Sequence, residues 1–178
     1  PEFGVGLDGV GSHPGPYTFP NGCMIVEVEV DPETGTIKVD RLSAVDDPGT
    51  IVNPLTLEGQ LHGSVAQGIG ETLVEEVVYD DASGQLMSGS FMDYAMPRAD
   101  IMPEIESDFA CLPTRNNLLG TKGGSEAGNV GAPAAVINAV LDALRPWGIV
   151  DLPLPAKPER VWRALQEAAS RKGRAVND

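Results

Sequence analysis

Along residues 23–30, CMIVEVEV, the last six positions alternate, with Ile25, Glu27 and Glu29 on one side and Val26, Val28 and Val30 on the other. A period of two with one apolar side predicts a half-buried strand. Asp31-Pro32-Glu33-Thr34-Gly35 then supplies turn chemistry, because proline presets φ and glycine accepts a positive φ. Thr36 to Val45 is rich in β-branched residues and reads as the return strand, so residues 23–45 form a hairpin. Asp46-Asp47-Pro48-Gly49 reads as the turn that ends it.

The period changes after Asn53-Pro54, an N-cap followed by a proline at the first helical position. Leu57, Leu61, Val65, Ile69 and Leu73 recur every four residues, with Ala66 and Val74 alongside, which is one face of a helix of about five turns. This helix carries Gly59, Gly63, Gly68 and Gly70, each costing roughly 1 kcal/mol relative to Ala. So many glycines predict close packing against a backbone or a ligand. Asp80 to Gly84 reads as a turn, and strands are expected from Leu86 to Tyr94 and from Ile105 to Cys111. Residues 118–131 hold five glycines in fourteen positions and read as a loop. A second helix is predicted from Ala132 to Leu144, with Val136, Val140 and Leu144 on one face and Pro146 and Gly148 as its stop. Pro158 starts a short third helix bearing Val161, Trp162 and Leu165. Strands mixed with helices and antiparallel hairpins make the fold class α+β, a mixed sheet packed against two long helices. The expected division is a lead-in loop over 1–22, one domain over 23–169 and a flexible tail over 170–178.

Composition narrows the function. The 178 residues carry 12 Lys/Arg against 26 Asp/Glu, a net charge of −14, which argues against a nucleic-acid or anionic-membrane surface. The excess lies in residues 1–150, at −16, whereas residues 151–178 are at +2. No apolar run approaches bilayer length, so no membrane span is expected. Two cysteines, Cys23 and Cys111, make no disulfide framework and fit a reducing compartment, with the cytoplasm as the default. The start at Pro1, without Met, reads as a cut from a longer polypeptide or a cloning remnant.

Most candidate sites have a plainer reading. Gly4-Val5-Gly6-Leu7-Asp8-Gly9 matches G-x-G-x-x-G, but lacks the preceding strand and following helix that a dinucleotide site requires. His13 and His62 lie too far apart, with no further ligand at metal spacing, so no metal site is expected and His62 reads as packed or hydrogen-bonded. Cys23 and Cys111 read as small apolar residues, Glu75-Glu76 with Asp80-Asp81 as a solvated acidic face, and Asp46-Asp47 as a turn rather than a metal pair. The stretch from Gly120 to Gly131 differs. Its glycines let several N–H groups approach one ligand, and it opens into a helix N-terminus that favours negative charge. It also carries Glu126, and a carboxylate in a loop is usually solvated. Held rigidly beside a cofactor, it would suit general-base work.

Six collinear segments then carry a resemblance: EVEVDPETGTIKV, AVDDPGTIVNP, EGQLHGSVAQGIGETL, GSFMDYAMPRAD, GTKGGSEAGNVGAPAAVINAVLDAL and PAKPERVWRAL. From about Tyr17 to Leu165 the chain resembles the C-terminal end of the molybdenum-binding large subunit of the xanthine dehydrogenase/aldehyde oxidase/carbon monoxide dehydrogenase family. The resemblance implies the C-terminal molybdopterin-binding domain fold. It also implies hydroxylation of an aldehyde or N-heterocycle with water as oxygen donor, on a molybdopterin cofactor that in bacteria is often the cytosine dinucleotide form. The implied partners are the remainder of the large subunit and domains or subunits bearing [2Fe–2S] clusters and FAD. Some relatives reach the periplasm through a partner subunit. In the family a glutamate on a G-x-K-G-x-G-E loop is the general base, and Glu126, after Gly120-Thr121-Lys122-Gly123-Gly124-Ser125, matches it. Ser125 stands where glycine is usual, which strains the loop if that position needs a positive φ. Gln60 matches the family's pterin-contacting glutamine, and Gln67 follows two turns later. Gly123, Gly124 and Ser125 complete the implied cofactor contacts. The isolated chain is expected to be inactive and free of cofactor. The competing reading is a non-catalytic interaction or assembly module that keeps the fold.

Overall fold

A computed structural model of the chain describes residues 9–12 and 15–175, with side chains through Arg171. His13 and all but the last glycine of the Gly4–Gly9 motif lie outside the described residues. Strands β1 (Asn21–Val30) and β2 (Ile37–Asp47) pair antiparallel, and β3 (Glu104–Phe109) joins the other edge of β2 in parallel, giving a mixed sheet of order β1-β2-β3. The parallel pairing needs a long crossover, and helix α1 (Pro54–Leu73) lies within it. Alternation places Met24, Val26, Val28 and Val30 toward the core, and Cys23, Ile25, Glu27 and Glu29 outward. The register shifts between Glu27, opposite Arg41, and Val28, opposite Val39. This bulge leaves Asp40 unopposed, so Val39 and Leu42 both face the core despite their odd separation.

Both outer ends of the hairpin differ from the sequence expectation. β1 starts at Asn21, and β2 runs through the aspartates that read as a turn. β2 is the central strand, and Asp46 is paired on both sides, to Gly22 and to Phe109. Strand pairing from two directions overrides the local turn preference of Asp-Asp.

Asn53 caps α1 by accepting the Thr56 N–H at 3.3 Å, with Pro54 in the first turn as expected. Leu61, Val65, Ile69 and Leu73 are buried along its face and Leu57 is half-buried. Helix α2 (Ala127–Leu144) begins five residues before the predicted Ala132. Two of the glycines that suggested a loop, Gly128 and Gly131, lie in this helix and serve its packing instead. At Gly128 a Cβ would lie 2.7 Å from Val65 N and 2.9 Å from Leu61 O, and would overlap Ser64 Oγ, so α1 and α2 touch backbone to backbone. Gly68 meets Ala132 and Pro133 in the same crossing, whereas Gly59 and Gly63 face open space. α2 also packs on β1.

Helix α3 (Pro158–Ala175) is long rather than short, and drives Val161, Leu165 and Ala168 into the core shared by all three helices and the sheet. It extends well into the stretch read as a frayed tail, and residues 176–178 lie outside the described residues. Glu76 binds Lys157 at 2.7 Å and also Arg160, and Tyr94 donates its hydroxyl to Glu75. The paired glutamates are therefore structural anchors, not a solvated face. Leu86–Tyr94 is not a strand. Tyr79 and Leu86 form one isolated bridge, and Ser90 then gathers the chain into turns, its carbonyl accepting from Asp93 and Tyr94 and its hydroxyl donating to Asp93. Cys23 and Cys111 are free and exposed rather than packed. One helical stretch, Ala127–Trp147, is of bilayer length at a mean hydropathy of 1.3, but Asn129, Asn138, Asp142 and Arg145 interrupt it, so it holds no unbroken apolar run. Its face at Ala132, Val136, Val140 and Leu144 lies in the core.

Candidate functional site

The site is built where β2 ends. Gly120 takes φ +70, and a Cβ there would come within 2.8 Å of both Pro113 Cβ and Thr50 Oγ1, so glycine is required. Its carbonyl accepts from the N–H groups of Thr50 and Thr114, each at 3.0 Å. Asn117 clamps the next residue from both sides, donating to the Thr121 carbonyl at 2.8 Å and accepting the Thr121 N–H at 3.1 Å. The Lys122 N–H donates to the Pro48 carbonyl at 2.8 Å, and its ammonium pairs with Asp47 Oδ2. Asp47 Oδ1 accepts the N–H groups of Gly49 and Leu112, each at 3.0 Å. The two side chains are 13% and 8% exposed. The ammonium, and then these N–H groups, hold the Asp47 carboxyl below the usual carboxylate range.

Beyond Lys122 the chain is held less tightly. The Gly123 N–H reaches the Thr18 carbonyl at 3.4 Å, and Gly124 packs on Leu57, whose Cδ1 would lie 2.7 Å from a Cβ. No described residue other than glycine has a positive φ, so Ser125 occupies its glycine-like place without left-handed strain. Glu126 stands at the start of α2 with φ −98 and ψ −6, exposed and making no capping bond.

This loop separates two clefts. One, of about 480 Å³, is lined by Gly123 to Ala127 and Val130 on one side and by Thr18 to Gly22 with Asp46 on the other. The second, of about 430 Å³, lies against α1 and includes Gln60, Leu57, Thr121 and Lys122. Gly124 borders both. The structure thus brings Gly123, Gly124, Ser125 and Glu126 into one cleft and Gln60 into its neighbour. Gln67 is exposed further along α1 and lines neither. Among the described residues, the N–H groups of Gly124, Ser125 and Glu126 and the Gln60 amide make no hydrogen bond. They form a donor set beside a helix N-terminus, suited to an anionic ligand with a polar ring edge. No cluster of three metal-ligating side chains occurs among the described residues.

Two features of the cleft escaped the sequence reading. The segment Thr18–Gly22 forms its far wall, and nothing in its composition marks it. Asp46 is 5% exposed, and its Oδ2 has no hydrogen-bond partner. Burial pushes its carboxyl above the usual range. Here a signal existed, since Asp46 shares parity with the buried Leu42 and Ala44. His62 is half-buried on α1 with Nε2 unpartnered, packed rather than hydrogen-bonded through that atom.

A family model described as a molybdopterin cofactor-binding domain matches residues 4–103. The nicotine 6-hydroxylase large subunit of Paenarthrobacter nicotinovorans is 47% identical over 148 residues, 83% of this chain and 18% of that protein. Quinoline 2-oxidoreductase from Pseudomonas putida 86 superposes with a TM-score of 0.76 at 43% identity, covering 79% of this chain and 18% of that one. Carbon monoxide dehydrogenase from Oligotropha carboxidovorans gives a TM-score of 0.81 at 31% identity, covering 85% and 19%. The chain spans about a fifth of the length of the proteins it matches.

Proposed function

Because this chain belongs to the molybdopterin cofactor-binding family of the xanthine dehydrogenase and carbon monoxide dehydrogenase large subunits, we propose that it supplies the general base of a molybdenum hydroxylase together with part of the cofactor's cradle. When bound, the molybdopterin centre supplies the two-electron oxidation of the substrate carbon. The residues of this chain bind, orient and move the proton. Glu126 accepts a proton at a carboxylate oxygen facing the larger cleft, and the N–H groups of Gly124 and Ser125 and the Gln60 amide hold the cofactor from either side of the loop. The free donor set supports that assignment, because it offers backbone N–H groups to an anion and an amide to a ring edge. Gly123 lends the loop a backbone without a Cβ, and Gln67 carries the lowest weight among the cofactor contacts.

The proposed substrate is an aldehyde or N-heterocycle. The proposed partners are the remainder of the large subunit and [2Fe–2S] and FAD domains or subunits, with molybdopterin as the cofactor, either in its simple form or as the cytosine dinucleotide. The cytoplasm is the proposed compartment, and the exposed free thiols of Cys23 and Cys111 support a reducing one. Alone, this chain is proposed to be inactive and to retain no cofactor, since one base and one side of a cradle make an incomplete site.

The observation that carries this reading is the position of Glu126 at a cleft, on a loop whose root is pinned by backbone and ionic bonds. Glu126→Gln in the full-length subunit with its partners tests it. Turnover is expected to fall about 10²–10⁴-fold, as for loss of a general base, with molybdenum content unchanged. Unchanged turnover would leave the chain as a non-catalytic assembly module.

A further inference from the structure

We propose that the Asp47–Lys122 ion pair is a positioning latch, which fixes the loop 120–126 to the end of β2 and thereby sets where the Glu126 carboxyl stands. This inference rests on Glu126 as the base and adds two residues that act through it rather than on the substrate.

Between Lys122 and Glu126 the chain is Gly-Gly-Ser, the sequence with the most backbone freedom in the site. Its one hydrogen bond to the rest of the fold among the described residues is the Gly123–Thr18 contact at 3.4 Å. The position of Glu126 is therefore set by what holds the two ends. α2 holds one end, and Lys122 is the last firmly held residue at the other. The anchor that Lys122 grips cannot swing away, because Asp47 Oδ1 is committed to two backbone N–H groups. The pair is nearly buried and so is little screened by salt. Lys122 also lines the Gln60 cleft while its loop carries Glu126 into the other, so one bond registers both walls against each other. A buried ion pair is a poor device for stability alone, since apolar replacements of both partners are often neutral. Its place at the root of the loop points to geometry.

The test uses the full-length subunit with its partner subunits, assayed with benzaldehyde, quinoline and hypoxanthine and an artificial electron acceptor. Asp47→Asn keeps an oxygen for Gly49 and Leu112 but removes the charge. The double variant Asp47→Asn/Lys122→Met leaves neither charge unpaired. The double variant is expected to recover the thermal midpoint lost in Lys122→Met, while its kcat stays about 10–100-fold below the parent with little change in KM, the cost of about 1 Å of misplacement. Amide exchange at residues 123–127 is expected to quicken about tenfold, the equivalent of a small loss of local protection. A double variant with kcat and exchange both within about twofold of the parent, well short of the penalty for misplacement, would overturn the latch. So would one that loses stability and turnover together, because the pair would then be structural. Glu126→Gln is measured alongside. If it abolishes turnover while the latch variants do not, only the latch fails. If it leaves turnover intact, the base reading fails, and the exchange measurement alone judges the latch.

Discussion

Asp47 and Lys122, seventy-five positions apart, form a nearly buried ion pair in which the carboxylate also accepts two backbone N–H groups. These bonds favour the charged carboxylate, so its pKa in the fold lies below that in the unfolded chain. The stability they contribute is complete above about 3.9, the unfolded value. It is lost as pH falls below that and through the depressed folded value. The difference in thermal midpoint between the parent and Asp47→Asn is expected to be constant from neutral pH down to that point and to shrink in stronger acid. A difference that grows on acidification would contradict the assignment.

Asp46, the preceding residue, has the opposite preference. Burial without a partner for Oδ2 favours its protonated form. The stability from the protonated carboxyl is complete below about 3.9 and is lost as pH rises through the raised folded value. Asp46→Asn is therefore expected to raise the thermal midpoint at pH 7, with a smaller gain in acid. A melting series across that range decides it, and a loss at pH 7 would refute the sign.

The α1–α2 crossing depends on Gly128. Alanine there would press on Val65 N and Leu61 O, which are backbone atoms and cannot rotate away. Gly128→Ala is expected to cost about 1–3 kcal/mol, as for overpacking. Adding Ser64→Ala would relieve only the side-chain part. Denaturant melts of both variants check this, and full rescue by the second change would show the backbone contacts to be slack.

Glu76 joins the end of α1 to the start of α3 through Lys157 and Arg160. Their side chains are a quarter to a third exposed, so the pair is partly screened. Glu76→Gln is expected to cost about 0.5–1 kcal/mol, the upper range for accessible pairs, and less in high salt. A urea titration at low and high ionic strength measures it.

Much of this was legible in the residues themselves. The alternation at 25–30, the Asn53-Pro54 start and the four-residue spacing from Leu57 to Leu73 each encode local geometry through sterics and burial, which depend on near neighbours only. Glu126 and its glycines stood out as candidates through collinear resemblance. The exchange of Leu86–Tyr94 from strand to turn was not, because Ser90 competes for the backbone through bonds that apolar pattern does not report.

By itself, then, the sequence determined the fold class, the hairpin and the buried faces of the helices, and it marked Glu126 and Gln60 as candidates. Tertiary structure alone decided that two adjacent aspartates diverge, one ionised against a lysine and one buried at the cleft wall with an unpartnered Oδ2, and that glycines at 128 and 131 belong to a helix. Both outcomes depend on atoms brought together from distant positions. Desolvation and ion pairing act over a few ångströms in space, whatever the separation along the chain.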